Sequence, residues 1–308
     1  MIYGGGGFIG SHLAKNLLDK RYEVKIFEKL NFSLKNIQDF INDSTPLEII
    51  EGDFNNEVDI KKSLKNVDYV FHLVSSTLPA TSNLNPLYDV ETNLISTLKF
   101  LQACIESKVK KIIFMSSGGT VYGIPKEIPI KETHPNHPIC SYGIIKKTIE
   151  DYLFMYRKIY GLDYFVFRLS NPYGEKQNPS ALQGVIPVFL NKIHKGEPIE
   201  IWGDGEVIRD YIYVKDATDL LVSSLEIATD EKVFNVGSGK GTSLNDLLDI
   251  MKKITGRDVN VKYLEGRAFD IPVNILDISL AQSRFGWTPS TDLEKGLRIT
   301  YEYITNNY

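Results

Sequence analysis

The sequence predicts an α/β fold: a doubly wound parallel sheet with a smaller α/β C-terminal lobe. Short apolar runs alternate with helical patterns through the first half of the chain. A glycine-rich turn stands between the first such run and the first helical pattern. From about Asn171 the rhythm loosens into loops bearing Pro and Gly. Strands of this kind are covered on both faces and are joined by right-handed crossovers.

In chain order, "MIY", "YEVKIFE", "LEIIEGD", "DYVFHLV", "KKIIFMSS" and "YFVFRLS" read as strands, and "SHLAKNLLDKR" as the first helix. "MIY" is shorter than the usual five or so residues of a strand, so the natural start is expected upstream. The loops "NPYGEKQNPSALQG" and "HKGEPIEIWGDGE" precede a return to helices such as "SLNDLLDIMKKITG". Residues 1–170 are assigned to the sheet domain, with some later segments returning to it, and 171–308 mainly to the lobe. There is no internal repeat.

Composition narrows the function classes. Of 308 residues 43% are hydrophobic and 24% charged, as in ordinary globular proteins. No apolar run reaches the roughly 18 residues of a membrane span, and the N-terminus lacks a secretory pattern. A net charge of −4 without a basic block gives no footprint for nucleic acid. Cys104 and Cys140 have neither disulfide nor metal spacing, and His12, His72, His134, His137 and His194 are scattered. The expectation is a cytoplasmic protein with no membrane segment, no nucleic-acid partner and no metal.

In "GGGGFIGSHLAKNLL" the residues Gly4, Gly7 and Gly10 lie between a strand and a helix. Glycines there permit a tight turn and let the backbone approach a pyrophosphate seated on the helix N-terminus. This is the Rossmann arrangement. Glu28 ends the second strand, about 20 residues on, where a carboxylate accepts from a ribose 2′-hydroxyl and repels a 2′-phosphate. NAD is therefore expected over NADP, with Lys29 softening the discrimination.

In the helical pattern "CSYGIIKKTIEDYLFMYRKIYG", Tyr142 and Lys146 share one face. A phenol titrates near pH ~10, too high for a base at neutrality, and an adjacent cation would bring it down. Lys146 is the expected cation.

The motifs "GGGGFIG", "SYGIIK", "RLSNPYG", "RDYIYVKD" and "FNVGSG", in this order, resemble the extended short-chain dehydrogenase/reductase superfamily, and within it the nucleotide-sugar epimerases. The resemblance covers nearly the whole chain. It implies that Tyr142 and Lys146 act with a hydroxyl at the end of the preceding strand. It also implies cofactor contacts at Phe8, Ile9, Asp53, Phe54, Leu73, Val74, Asn93 and Ser116, besides Gly4, Gly7, Gly10, Glu28, Tyr142 and Lys146. In the family the catalytic hydroxyl lies four residues before the Tyr of "VYG", and here that position is Gly118. Ser117 or Thr120 must take its place, and Ser117, directly after the strand, is favoured. Related dehydratases carry an acidic pair where Gly118 and Gly119 stand, which argues against elimination of water.

For substrate, the resemblance implies Asn171 at a pyrophosphate, Val185 at uracil, Asp270 at a ribose hydroxyl, and Arg209 and Arg267 at phosphates. Asp210 and Asp270 are also ready ion-pair partners for those arginines. Asn274 falls where a larger residue would limit the sugar's 2-substituent. The function so implied is NAD-dependent 4-epimerisation of a UDP-hexose through a transient 4-keto sugar, with UDP-glucose and UDP-galactose first and the N-acetylhexosamine pair second. Alternatives are a UDP-glucuronate epimerase, a nucleotide-sugar reductase, or a non-catalytic NAD-binding protein. The family also implies a homodimer through two helices of each subunit.

Overall fold

The computed structural model describes all residues except 30–31, 43, 181–183 and 267–270. Two compact units emerge: Met1–Gly123 with Pro135–Arg168 and Thr218–Phe234, and Ile124–His134 with Leu169–Ala217 and Asn235–Tyr308.

The first unit is built on a seven-stranded sheet. Its strands run Val233–Val236, Asp163–Leu169, Lys111–Ser117, Tyr69–His72, Ile2–Tyr3, Val24–Glu28 and Leu47–Glu51 across the sheet. Ile2–Tyr3 pairs in parallel with both Val24–Glu28 and Tyr69–His72. Leu47–Glu51 and Lys111–Ser117 extend the parallel pairing on either side. The order reverses at the first strand, so the crevice at the carboxyl ends of the first and fourth strands is where a dinucleotide belongs in such a sheet. The run Lys111–Met115 is buried throughout, as a strand covered on both faces must be. Tyr3, Phe27, Phe100, Ile112, Phe114 and Val166 belong to the core behind it.

Helix Phe8–Asp19 follows the glycine turn directly. Helix Ser141–Tyr160 ends on Gly161 at φ 73°, the left-handed conformation that glycine adopts at no steric cost. The run "LYDVETNLISTLKFLQACIES" forms three consecutive segments: Pro86–Asp89, a π-helical stretch Val90–Ile95, and α-helix Ser96–Glu106. A π segment rotates the residues that follow it relative to a regular helix, and periodicity in the sequence does not signal it.

In the second unit, strand Ile208–Tyr213 pairs with Gly241–Ser243, Val273–Asn274 and Asn171–Tyr173. Ile199–Trp202 and Val261–Leu264 form a separate parallel pair. Helices Val185–Lys195, Leu244–Thr255 and Leu293–Asn307 bury Leu190, Ile193, Leu247, Met251, Leu297 and Ile304 in a common core. Ser243 caps the second of these, accepting from Asp246 N at 3.0 Å, while Asp246 Oδ2 accepts from Ser243 N at 3.4 Å. Among the described residues no helix is long and apolar enough to cross a membrane.

Candidate active site

The glycine turn is shaped by contacts that only glycine permits. Gly4 has φ 87°, and a Cβ on Gly10 would lie 2.1 Å from the Gly4 carbonyl oxygen. Leu73 and Val74 face the turn, their main chain 3.5 Å from where a Gly4 side chain would begin. Gly7 caps helix Phe8–Asp19 without any side-chain hydrogen bond, so its first N–H groups, at Phe8, Ile9 and Gly10, are donors with no acceptor inside the helix. These features fit a pyrophosphate cradle. Glu28 Oε1 accepts from Gly6 N at 2.8 Å, which holds the carboxylate against the turn. Burial pushes its titration upward, and the backbone N–H groups of Gly6, Lys29 and Gly7, with the Lys29 charge, partly offset this. The Phe54 ring is turned into the core beside Tyr3, His72 and Phe100, and the residue is buried. Asp53 stays exposed, with Oδ1 accepting from Asn55 N at 2.8 Å.

Tyr142 and Lys146 stand on one face of helix Ser141–Tyr160. The helix start is tied down from outside: Ser141 N donates to Asn83 Oδ1 at 2.8 Å and Tyr142 N to Ser82 Oγ at 3.1 Å. Lys146 is buried, its Nζ donating to the Met115 carbonyl at 2.9 Å. The same ammonium lies 5.4 Å from the centre of the Tyr142 ring and 4.8 Å from that of Phe114. Burial brings Lys146 down to about 8, against the raising charges of Asp89 and Glu150.

The expectation of a lowered Tyr142 phenol needs correction. Burial, with smaller contributions from Cys140 and Asp89, raises it above the ordinary value. Lys146 directs its proton donors at a backbone carbonyl, and two anions flank the pair. Any phenolate must therefore gain further positive charge from what binds there.

The hydroxyl cluster separates into distinct roles. Ser116 Oγ donates to Glu150 Oε1 at 2.5 Å, and Glu150 pairs with Arg168 at 2.6 Å. The Arg168 guanidinium in turn stacks over Tyr122 at 4.8 Å. This buried array was not read from the sequence, although Glu150 stands four residues after Lys146 on the same helix face. Ser117 closes a turn with its carbonyl, which accepts from Thr120 N at 3.3 Å and Val121 N at 3.1 Å. Thr120 Oγ1 is buried and meets no hydrogen-bond partner. A Cβ on Gly119 would find nothing nearer than Ser117 Oγ at 4.0 Å, so packing does not demand glycine there.

Asn93 holds a second polar node. Its Oδ1 accepts from Ser76 N at 2.9 Å and its Nδ2 donates to Asp89 Oδ1 at 2.8 Å. A small cavity is lined by Val74, Asp89, Asn93, Thr97, Tyr142 and Lys146, among others.

The second unit gathers three of the predicted substrate residues on one sheet. Asn171 stands opposite Tyr211, and Asn274 opposite Arg209. Asn171 Nδ2 donates to the Asp210 carbonyl at 2.9 Å. Arg209 Nη1 donates to the carbonyls of Ile208 and Ile271, at 2.9 and 2.7 Å, which anchors the guanidinium. Asp210, next along the strand and so on its other face, is buried and accepts from the N–H groups of Ser238, Gly239 and Leu276. Val185 opens helix Val185–Lys195. Arg267 and Asp270 lie outside the described residues. Among the described residues no cluster of three or more His, Cys, Asp or Glu side chains could hold a metal.

Comparison with known proteins agrees with this geometry. A family model described as the NAD dependent epimerase/dehydratase family matches residues 1–237. A putative UDP-glucose 4-epimerase of Methanocaldococcus jannaschii is 35% identical, over 100% of this chain and 98% of that protein. The crystal structure of UDP-glucose 4-epimerase with UDP-glucose from Thermotoga maritima superposes with a TM-score of 0.93 at 38% identity, over 99% of this chain and 98% of the other. The UDP-N-acetylglucosamine 4-epimerase from Methanobrevibacter ruminantium M1, in complex with UDP-N-acetylmuramic acid, gives 0.92 at 35% identity, over 100% and 98%.

Proposed function

The chain belongs to the NAD-dependent epimerase/dehydratase family, and from that premise we propose that it is a UDP-hexose 4-epimerase interconverting UDP-glucose and UDP-galactose. The observation that carries this reading is the Tyr142–Lys146 pair beside the end of strand Lys111–Ser117, in the same unit as the glycine cradle.

The cradle residues Gly4, Gly7, Phe8, Ile9 and Gly10, with Glu28 at a ribose, would hold NAD. When bound, NAD supplies reversible acceptance of a hydride from the sugar C4 carbon. Tyr142 takes the proton of the C4 hydroxyl as the carbon is oxidised to a ketone, and gives it back when the carbon is reduced from the opposite face. Lys146 stabilises the phenolate, as does any positive charge the bound cofactor brings. The sequence favours Ser117 for orienting the C4 hydroxyl, but the buried, partnerless hydroxyl of Thr120 supports Thr120 in that role instead. Ser117 is the second candidate, with its side chain at the same turn. Asn171 and Arg209 receive the nucleotide portion, with Val185, Arg267 and Asp270 joining them by family resemblance.

Asn274 favours a second substrate pair. Its side chain is buried beside Arg209 in the sheet and is small for a residue limiting the 2-substituent, which supports UDP-N-acetylhexosamines. A homodimer is supported by Ile144, Phe154 and Ile159, exposed along helix Ser141–Tyr160.

The deciding experiment incubates the protein with UDP-glucose and, separately, UDP-N-acetylglucosamine, and separates the C4 epimers by chromatography. An epimer formed by the wild type and not by Tyr142→Phe supports the reading and names the sugar. Absence of product from both, with NAD supplied, refutes it, and turnover of UDP-glucuronate or net NADH release then identifies which alternative replaces it.

A further inference from the structure

We propose that Asp89 is a positioning residue for the Tyr142–Lys146 pair, its buried carboxylate anchoring the start of their helix and holding the Lys146 charge across the cavity they share. The inference deepens the epimerase reading and rests on the roles given there to Tyr142 and Lys146.

Asp89 is 1% exposed, whereas its neighbours Tyr88 and Glu91 face solvent. Three neutral donors converge on it. Thr77 Oγ1 and Asn93 Nδ2 reach Oδ1 at 2.7 and 2.8 Å, and Ser141 Oγ reaches Oδ2 at 2.7 Å. A carboxylate that meets only donors is satisfied in its ionised form. Ser141 is the first residue of the helix that carries Tyr142 and Lys146, so this contact fixes where the pair begins. The π-helical stretch Val90–Ile95 starts immediately after Asp89 and contains Asn93, placing the widened turn at the node itself.

The charges around Lys146 make Asp89 the anion that matters. From the helix Ser141–Tyr160, Lys146 feels Glu150, but Glu150 is already paired with Arg168 and bonded to Ser116. From the strands it meets His72, which is buried and neutral. Asp89 itself faces Cys140, Tyr142 and Lys146 from the helix. From the segment before it come only the hydroxyl of Thr77 and, along the cavity wall, Ser75. Burial lowers the Lys146 titration, and of the two anions that oppose this, Asp89 acts more strongly.

The test compares Asp89→Asn, Asp89→Glu and Ser141→Ala with wild type in two readouts: the pH profile of kcat for the sugar nucleotide turned over, and the 13Cε NMR titration of Lys146, assigned with Lys146→Arg. For Asp89→Asn, the Lys146 midpoint and the alkaline limb of kcat are expected to move to lower pH together, by about one unit. Asp89→Glu should keep the midpoint near wild type. Ser141→Ala, which loses the anchor and keeps the charge, should lower kcat without moving the midpoint. An Asp89→Asn protein with wild-type midpoints and activity scaled down at every pH would overturn the proposal, leaving Asp89 a structural residue. If the wild type epimerises no UDP-sugar, the functional reading has failed on its own account, and the Lys146 titration still decides the role of Asp89.

Discussion

Lys146 donates from Nζ to the carbonyl of Met115 at 2.9 Å, joining the middle of helix Ser141–Tyr160 to the strand that ends in the hydroxyl cluster. The bond sets the ammonium's position but leaves Tyr142 without a lowered pKa. Lys146 is 5% exposed and enclosed between Phe114 and Tyr142. A guanidinium is planar and wider, so it does not fit the space of an ammonium even though it keeps the charge. Lys146→Arg and Lys146→Met are both expected to lower kcat by about 10²–10⁴, measured as 4-epimer formed per unit time at saturating substrate. An Arg variant with wild-type kcat would show that charge alone suffices.

Thr120 offers a test in which stability and activity part company. Its buried hydroxyl has no partner, and an unsatisfied buried polar group costs about 1–3 kcal/mol. Thr120→Val removes that cost at similar shape. We expect its unfolding free energy without substrate, from urea titration, to rise by about 1 kcal/mol, while kcat/KM falls by about 100-fold. Ser117→Ala is expected to change both less. A reversed ranking of the two variants in kcat/KM would return the orienting role to Ser117.

Gly10 tests the cradle. A methyl there would sit 2.1 Å from Gly4 O and 2.6 Å from Gly5 Cα, both backbone atoms that cannot turn aside. Gly10→Ala must therefore open the turn, at a cost of about 1–3 kcal/mol. Loss of NAD from the purified variant, assayed on the denatured extract, is the expected result, together with a lower thermal midpoint. Retention of full NAD content would mean that the cofactor does not depend on this close approach.

The parts of the molecule legible in the sequence were those written in local pattern. Strand runs such as "KKIIFMSS", the glycine turn and the stop at Gly161 each follow from burial on both faces, backbone freedom or left-handed geometry at one position. Tyr142 and Lys146 share a helix face, so their pairing was visible too. What stayed hidden depends on contacts far apart in the chain. Asp89 meets Ser141 across 52 residues, and Ser116 meets Glu150 across 34. The raised phenol of Tyr142 has the same origin, because proximity of a lysine in sequence says nothing about burial or about where its ammonium points.

His72 provides the last prediction, through its protonation state. Thr97 Oγ1 donates its only proton to Asn93 O at 2.6 Å, so the 3.0 Å contact with His72 Nε2 must be a donation from the imidazole. The ring thus carries a proton on Nε2, and the buried Nδ1, which finds no partner, has no acceptor to favour a second proton. Phe54, Phe100 and Phe114 surround the ring at 5.2–5.3 Å between centroids. Burial, aided by the Lys146 charge, pulls the imidazole down to about 3. Because the folded value lies below the unfolded value of about 6.5, the unfolded chain binds the extra proton between the two. The stabilisation is therefore complete above about pH 6.5 and is lost as pH falls toward 3. Between about pH 7.5 and 5.5 the wild type should lose about 1.4 kcal/mol more than His72→Gln, which cannot titrate there. Urea unfolding at the two pH values measures this difference, and equal losses in both proteins would show that the imidazole is charged in the folded state or already neutral in the unfolded one.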